Sequence, residues 1–194
     1  MPKSVLHTGV LAVAVTGCAL GLVPASQARE KPIAAAEQPL KPEKNPPGDI
    51  PDNQVFIGYS SPLGFSLKVP EGWARQDLPD GAAFADKYGR IIVTEITRAT
   101  APDPGTLVPE VEKSARAVTV TKTKSVKLPA GQAVVVSYTS NSDSNPVTNK
   151  AIRLESDRYY LWKDGKLVTL NFSAPAGADN ADQWDLMAKS FRWR

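Results

Sequence analysis

Asp164 and Gly165 sit between two apolar runs in the stretch "NKAIRLESDRYYLWKDGKLVTLNFSAP". An Asp-Gly pair tolerates the left-handed backbone of a tight hairpin turn, whose twist matches that of paired strands. The two runs are therefore expected side by side as antiparallel strands, part of a meander over "NKAIRLESDRYYLWKDGKLVTLNFSAP". Other segments carry the same period of two. In "FSLKV", Phe65, Leu67 and Val69 alternate with Ser66 and Lys68, giving one buried and one wet face. "QVFIGY" reads as the strand before it, joined by a turn at "SSPLG", and "PEGW" closes the pair with Trp73 folded back over the core. "AAFADKYGRIIVTEIT" reads as a hairpin with Phe84 on one arm, a turn near Tyr88 and Gly89, and residues 91–96 on the other. "GQAVVVSYTS" is a buried strand, and "NSDSNPV" after it is a turn-rich loop. "TVTKTKSVKLP" is β-rich but polar. It fits an edge strand on which Lys122, Lys124 and Lys127 discourage pairing with another molecule.

Two segments change to helical period. Leu107, Val111, Ala115 and Val118 fall on one helical face, with Thr106 as the expected N-cap and Pro109 inside the first turn. In "ADNADQWDLMAKSFRW", Trp184, Met187, Ala188 and Phe191 fall at i, i+3, i+4 and i+7. Asn180 is the expected cap there, with Gln183 at capping-box spacing. Strands, a helix, more strands and a last helix make an α+β order, with helices packed on an antiparallel sheet. No βαβ alternation and no glycine-rich phosphate loop supports a nucleotide fold.

The N-terminus reads as an export signal. Lys3 is the only charge in the first 28 residues, and the apolar run "GVLAVAVTGCALGLV" is followed by small residues and then Arg29 and Glu30. The run is shorter than the roughly 20 residues of a membrane-spanning helix and contains three glycines. Two cuts compete. "SQA" places small residues before a cut after Ala28, which would make residues 1–28 a signal peptide. "VTGC" fits a lipobox, which would make 1–17 the signal and Cys18 a lipidated N-terminus. The apolar run continues past Cys18, which favours the cut after Ala28. Residues 29–53 hold six prolines and few large apolar side chains, so they are expected to be a disordered, extended spacer. Residues 54–194 are expected to form the folded domain.

The chain has one cysteine, Cys18, and one histidine, His7, both in the signal region. The domain can therefore hold no disulfide, no Ser–His–Asp or Cys–His mechanism, and no zinc or haem site built on these ligands. With Lys3 set aside, the 23 basic residues of the chain fall to 22 against 20 acidic ones. That balance carries no footprint for nucleic acid and no basic cluster for an anionic membrane.

Three segments resemble a known family. "YSSPLGFSLKVPEGWAR" is similar to the opening of PsbP-like domains. "YLWKDGKLVTLNFSAPAGADN" and "DQWDLMAKSFRW" resemble the C-terminal half of the same Mog1/PsbP-like superfamily, and residues 55–194 look most like small exported actinobacterial proteins and LpqN-type lipoproteins. The resemblance implies an α-β-α sandwich around an antiparallel sheet. It also implies an adaptor or ligand carrier without enzymatic activity. A histidine-dependent metal role of photosynthetic relatives does not carry over to a domain without histidine.

Three groups of residues are site candidates. Asp179, Asp182 and Asp185 crowd the start of the last helix, where the helix dipole favours acidic residues over a calcium-loop reading. Glu155 and Asp157 share a strand face and would have to act as an acid/base pair in a carboxylate-dependent extracytoplasmic hydrolase. Exposed cross-strand charge is the better reading of that pair. Tyr159 and Trp162 are the first aromatic residues to test as a binding surface, against packing as the stronger reading for the aromatic set. The expectation is an exported, non-catalytic binding or adaptor domain of the cell envelope, secreted or anchored only through Cys18. It would be a monomer with no metal, cofactor or nucleic acid, contacting another envelope protein or a small apolar ligand.

Overall fold

Asp164 and Gly165 do turn the chain, with φ of 50° and 80°. The hairpin they close lies in the middle of a seven-stranded sheet. The computed structural model describes residues 37–194, so the export signal, Cys18 and residues 29–36 lie outside the described residues. In chain order the elements are β1 (Phe56–Ser61), β2 (Phe65–Pro70), β3 (Ala74–Leu78), β4 (Gly81–Ala85), β5 (Arg90–Thr97), α1 (Pro104–Glu112), β6 (Arg116–Leu128), β7 (Gly131–Asn141), β8 (Arg153–Lys163), β9 (Lys166–Pro175), α2 (Ala181–Ser190) and β10 (Arg192–Trp193). Seven strands form one antiparallel sheet in the order β3-β4-β5-β9-β8-β7-β6, and β1-β2-β10 form a second, smaller sheet. The architecture is α+β, with α1 on one face of the large sheet and α2 on the other.

Register divides the side chains between these faces. Val135, Tyr159 and Leu170 stand in line across β7, β8 and β9. They join the larger core with Phe65, Leu67, Phe172, Trp184, Met187 and Phe191. Phe172 stacks on Trp184 at 6.2 Å, and Phe65 on Phe191 at 5.7 Å, so α2 and the small sheet are fastened to the large sheet through aromatic rings. Each such buried side chain contributes about 1.5–3 kcal/mol. On the opposite face, Leu107 and Val111 of α1 pack on Val134, Val136, Tyr138 and Tyr160. Gly81 marks the tightest backbone approach: a Cβ there would lie 1.9 Å from the Val93 carbonyl oxygen.

Several local expectations are revised. Helix α1 begins earlier than the apolar spacing suggests, because the Asp103 side chain caps it through the N–H of Gly105. Ala115 and Val118 fall beyond its end. Pro109 becomes an interior position rather than a first-turn one. Strand β3 is absent from the sequence reading because its side chains are nearly all exposed and show no alternation. At α2, Asn180 makes no side-chain cap, because its amide is committed elsewhere.

That commitment is to the proline-rich segment. Residues 37–53 lie across the strand ends at one end of the sandwich rather than standing free. Asn180 accepts from the N–H of Ile50 at 2.6 Å and donates to the Gly48 carbonyl at 3.0 Å. Asn141 accepts from the N–H of Leu40 and donates to the Gln38 carbonyl and the Glu37 carboxylate, each at 2.9 Å. Glu37 also pairs with Arg116 at 2.8 Å. The segment has too little apolar surface to fold by itself. It is held because two buried asparagines from distant elements satisfy its backbone and because Ile50 is buried. Its prolines leave it less entropy to lose on docking.

Candidate functional site

The nine-residue helix α1 is too short to roof the sheet face it packs on. It packs on β6, β7, Tyr160 of β8 and Leu167 of β9, and leaves β5 and the rest of β9 open. The open part is a groove. Register brings Ile92, Thr94 and Ile96 of β5 beside Asn171, Thr169 and Leu167 of β9, and Arg158 beside Asn171 on β8. A cavity of about 350 Å³ opens between these residues and Glu110 of α1. A second cavity of about 280 Å³ shares Ile92, Arg158 and Asn171 and continues toward Ser114 and Tyr138. Both fall near the lower bound of small-molecule sites, roughly 300 Å³.

Arg158 stands where the two cavities meet. Its Nε donates to Asn171 Oδ1 at 3.0 Å and its Nη2 to the Tyr138 hydroxyl at 2.8 Å. Tyr138 in turn donates to Asn171 Oδ1 at 2.9 Å, and the guanidinium lies 5.2 Å from the Tyr138 ring centre. This triangle holds the cation in place with neutral partners. Nearby, burial pushes the Tyr160 hydroxyl above its usual range, and the adjacent Arg158 pulls it part of the way back. At the helix side of the groove Arg98 pairs with Glu110 at 3.2 Å.

Trp162 lies beside this groove. Half-buried, it lines an apolar cavity of about 390 Å³ with Tyr160, Val134 and Pro102. Its indole N–H donates to the Arg98 carbonyl at 2.7 Å, so the ring is fixed rather than free to follow a ligand. Tyr159 does not share that surface. It is 5 % exposed on the opposite face and packs edge-to-face on Phe172 at 5.8 Å. Burial raises its hydroxyl well above the usual phenol range. As a binding-surface residue Tyr159 is corrected to core, because register turns alternate side chains of β8 to opposite faces.

The acidic candidates separate in part. Asp185 pairs with Lys189 one helical turn on at 2.6 Å, and Asp182 accepts from the N–H of Gln183 at 3.0 Å. Asp179 instead joins Glu155 and Asp157 in a cavity of about 310 Å³ at the start of α2. Burial raises the Glu155 carboxyl above its ordinary value, a backbone hydrogen bond from Gly177 opposes this, and Asp157 and Asp179 add to the rise. Among the described residues no group of three His, Cys, Asp or Glu is placed to hold a metal ion. Arg153, on the same strand, is buried and donates to the Ala117 carbonyl, Asn141, Thr119 and Thr139. It belongs to the scaffold that anchors residues 37–40.

Together these features define an α+β sandwich with one open sheet face and a fixed cation on it. The fold is PsbP-like: the solution structure of cyanobacterial PsbP (CyanoP) from Synechocystis sp. PCC 6803 is similar with a TM-score of 0.53 at 14% identity, covering 76% of this chain and 98% of that chain. The crystal structure of LpqN from Mycobacterium tuberculosis, described as involved in cell envelope biogenesis, is similar with a TM-score of 0.43 at 15% identity, covering 72% of this chain and 89% of that chain. At these identities the likeness is one of fold. No family model and no curated protein matches the chain.

From sequence Arg158 is only a charge near Glu155 and Asp157, and Tyr138 and Asn171 carry no site role. They stand on three strands, 13 to 33 positions apart. The available signal was one of two arginines in a β-forming run, which becomes informative only once register is known.

Proposed function

We propose that this chain is an exported, non-catalytic binding domain of the cell envelope that engages its ligand or partner through the open face beside α1. The observation that carries the reading is Arg158, fixed at the junction of two cavities on a sheet face that the short helix leaves uncovered. The N-terminal signal supports export, and the lack of histidine and cysteine in residues 19–194 supports binding over nucleophilic chemistry. A lipid-anchored form at Cys18 and a secreted form beginning at Arg29 are the two forms the signal allows. Resemblance to actinobacterial lipoproteins favours the same setting.

The test places a photocrosslinking residue at Ile96, exposed on the open face, or at Leu186, exposed on α2. Irradiation of intact cells is followed by mass spectrometry of the adducts and of the N-terminus. Adducts from position 96 and not from 186, on a chain cut after Ala28 or acylated at Cys18, are expected. Equal adducts from both positions overturn the surface, and a retained Met1 overturns export.

A carboxylate-dependent extracytoplasmic hydrolase is the second reading, favoured by the raised carboxyl of Glu155 in a cavity shared with Asp157 and Asp179. Hydrolysis of model ester or glycoside substrates that disappears in Glu155→Gln would establish it. Activity unchanged in that variant would remove it.

A further inference from the structure

Three of the fixed arginines on this domain are neutralised by a carboxylate, and three, Arg153, Arg158 and Arg192, are held by neutral acceptors. Arg75 pairs with Asp77, Arg98 with Glu110 and Arg116 with Glu37. Arg158 is treated differently. Among the described residues no carboxylate lies within ion-pair distance of it. Its partners are the Tyr138 hydroxyl, the Asn171 amide oxygen and the face of the Tyr138 ring. They orient the fork without cancelling its charge. Buried Arg153 also lacks a carboxylate, but four acceptors enclose it, and no ligand can reach it. Arg158 lines both open cavities.

The surroundings select the anion. Ile92, Ile96 and Leu167 give the larger cavity an apolar wall, and Thr94 and Thr169 give it hydroxyls. Glu110 stands on its helix side, and the nearby Arg98 is already spent on that carboxylate. Arg98 and Arg158 against Glu110 leave the cavity one net positive charge, which suits a single negative charge. A phosphate dianion would exceed it. A planar carboxylate matches the fork of a guanidinium in two parallel hydrogen bonds. We infer that the groove binds a small amphiphilic monocarboxylate, its carboxylate on Arg158 and its apolar body along Ile92, Ile96 and Leu167. This rests on the reading of the open face as the binding face, and names the ligand class.

The test titrates the isotope-labelled full chain with octanoate, 1-octanol and inorganic phosphate, followed by amide chemical shifts. Octanoate is expected to saturate, with the largest shifts at Ile92, Thr94, Thr169 and Asn171. Octanol and phosphate are expected to bind at least about tenfold more weakly, the scale of one lost charge-assisted pair. Arg158→Gln should weaken octanoate by the same factor and leave octanol unchanged, with its melting transition retained. Ile96→Glu, at a position 49% exposed, tests the same claim without altering Arg158: a like charge at the rim should also weaken octanoate. Octanol equal to octanoate, phosphate tighter than octanoate, or shifts centred on Trp162 would overturn the inference. So would wild-type affinity in both variants. Crosslinks from position 96 without octanoate binding would overturn the carboxylate alone and leave the open face as a binding surface.

Discussion

The Oδ1 atom of Asn180 accepts the backbone N–H of Ile50 at 2.6 Å, joining residues 130 positions apart in the chain. The same side chain donates to the Gly48 carbonyl, so one buried amide pairs with the segment as a neighbouring strand would. Asn180→Ala leaves both backbone groups without their partner at a buried site. A loss of about 1–3 kcal/mol is expected, read from urea unfolding. Asn180→Asp keeps the acceptor and loses the donor, so it should fall between. Protease cleavage within residues 37–53 should accelerate in the same order.

Glu37 ties the other end of that segment, and it gives the docking a pH dependence. The hydrogen bond from Arg116 holds its carboxyl below the ordinary value, and Asn141 adds to this. A carboxyl lowered in the folded state contributes stability that is present above its unfolded pKa and lost as pH falls through the folded one. The N–H of Leu40 should therefore be protected from hydrogen exchange at neutral pH and lose protection as the solution is acidified below about pH 4. Glu37→Gln should remove the pH dependence. A pH-independent exchange rate in the wild-type chain, after correction for intrinsic exchange, would sink the assignment.

Glu155 carries the opposite sign. Burial raises its carboxyl, so the folded state takes up a proton before the unfolded one does. Its charged form is a cost at neutral pH. That cost is relieved as pH falls from the raised value toward the ordinary carboxylate range. Glu155→Gln should raise the melting temperature at pH 7 and have little effect once the wild-type group is protonated. Melting curves at the two pH values decide it.

How much of this was legible beforehand depends on the range of the physics involved. The strands of "FSLKV" and "GQAVVVSYTS", the Asp164–Gly165 turn and the apolar face of α2 are local patterns, and all appear where their spacing places them. The lysine-bearing strand β6 lies at the sheet edge as its polarity suggests. Strand β3 could not be seen, because its pairing with β4 is a backbone matter and its side chains face water. The docking of residues 37–53 depends on Asn141 and Asn180, and the groove depends on three strands meeting at Arg158. Neither has a signature within any short window of sequence.

Tyr159 and Trp162 stand on opposite faces of β8, and their separation can be measured. Tyr159→Ala empties a buried site beside Phe172 and should cost about 3–5 kcal/mol, as other large aromatic truncations do. Tyr159→Phe keeps the ring and should cost less than about 1.5 kcal/mol. Trp162→Ala removes a half-buried ring and one hydrogen bond to Arg98, so a loss of about 1–2 kcal/mol is expected. Urea unfolding of the three variants should give that order. Equal losses for the two alanine variants would contradict the opposed faces of β8.

Pro109 offers a stabilising change. It is the sixth residue of α1, where it removes the N–H that would otherwise bond to the Gly105 carbonyl, and it is exposed to solvent. A mid-helix proline costs about 3 kcal/mol relative to alanine. Part of that is offset because proline also restricts the unfolded chain, by about 0.4–1 kcal/mol. Pro109→Ala should therefore raise stability by about 2–3 kcal/mol in urea unfolding. The helix would gain a hydrogen bond with Leu107 and Val111 still on their buried face. A loss of stability would mean instead that the proline sets the curvature with which α1 lies on the sheet. In that case the width of the groove between Glu110 and β5 would depend on it, and octanoate affinity should change with the same substitution.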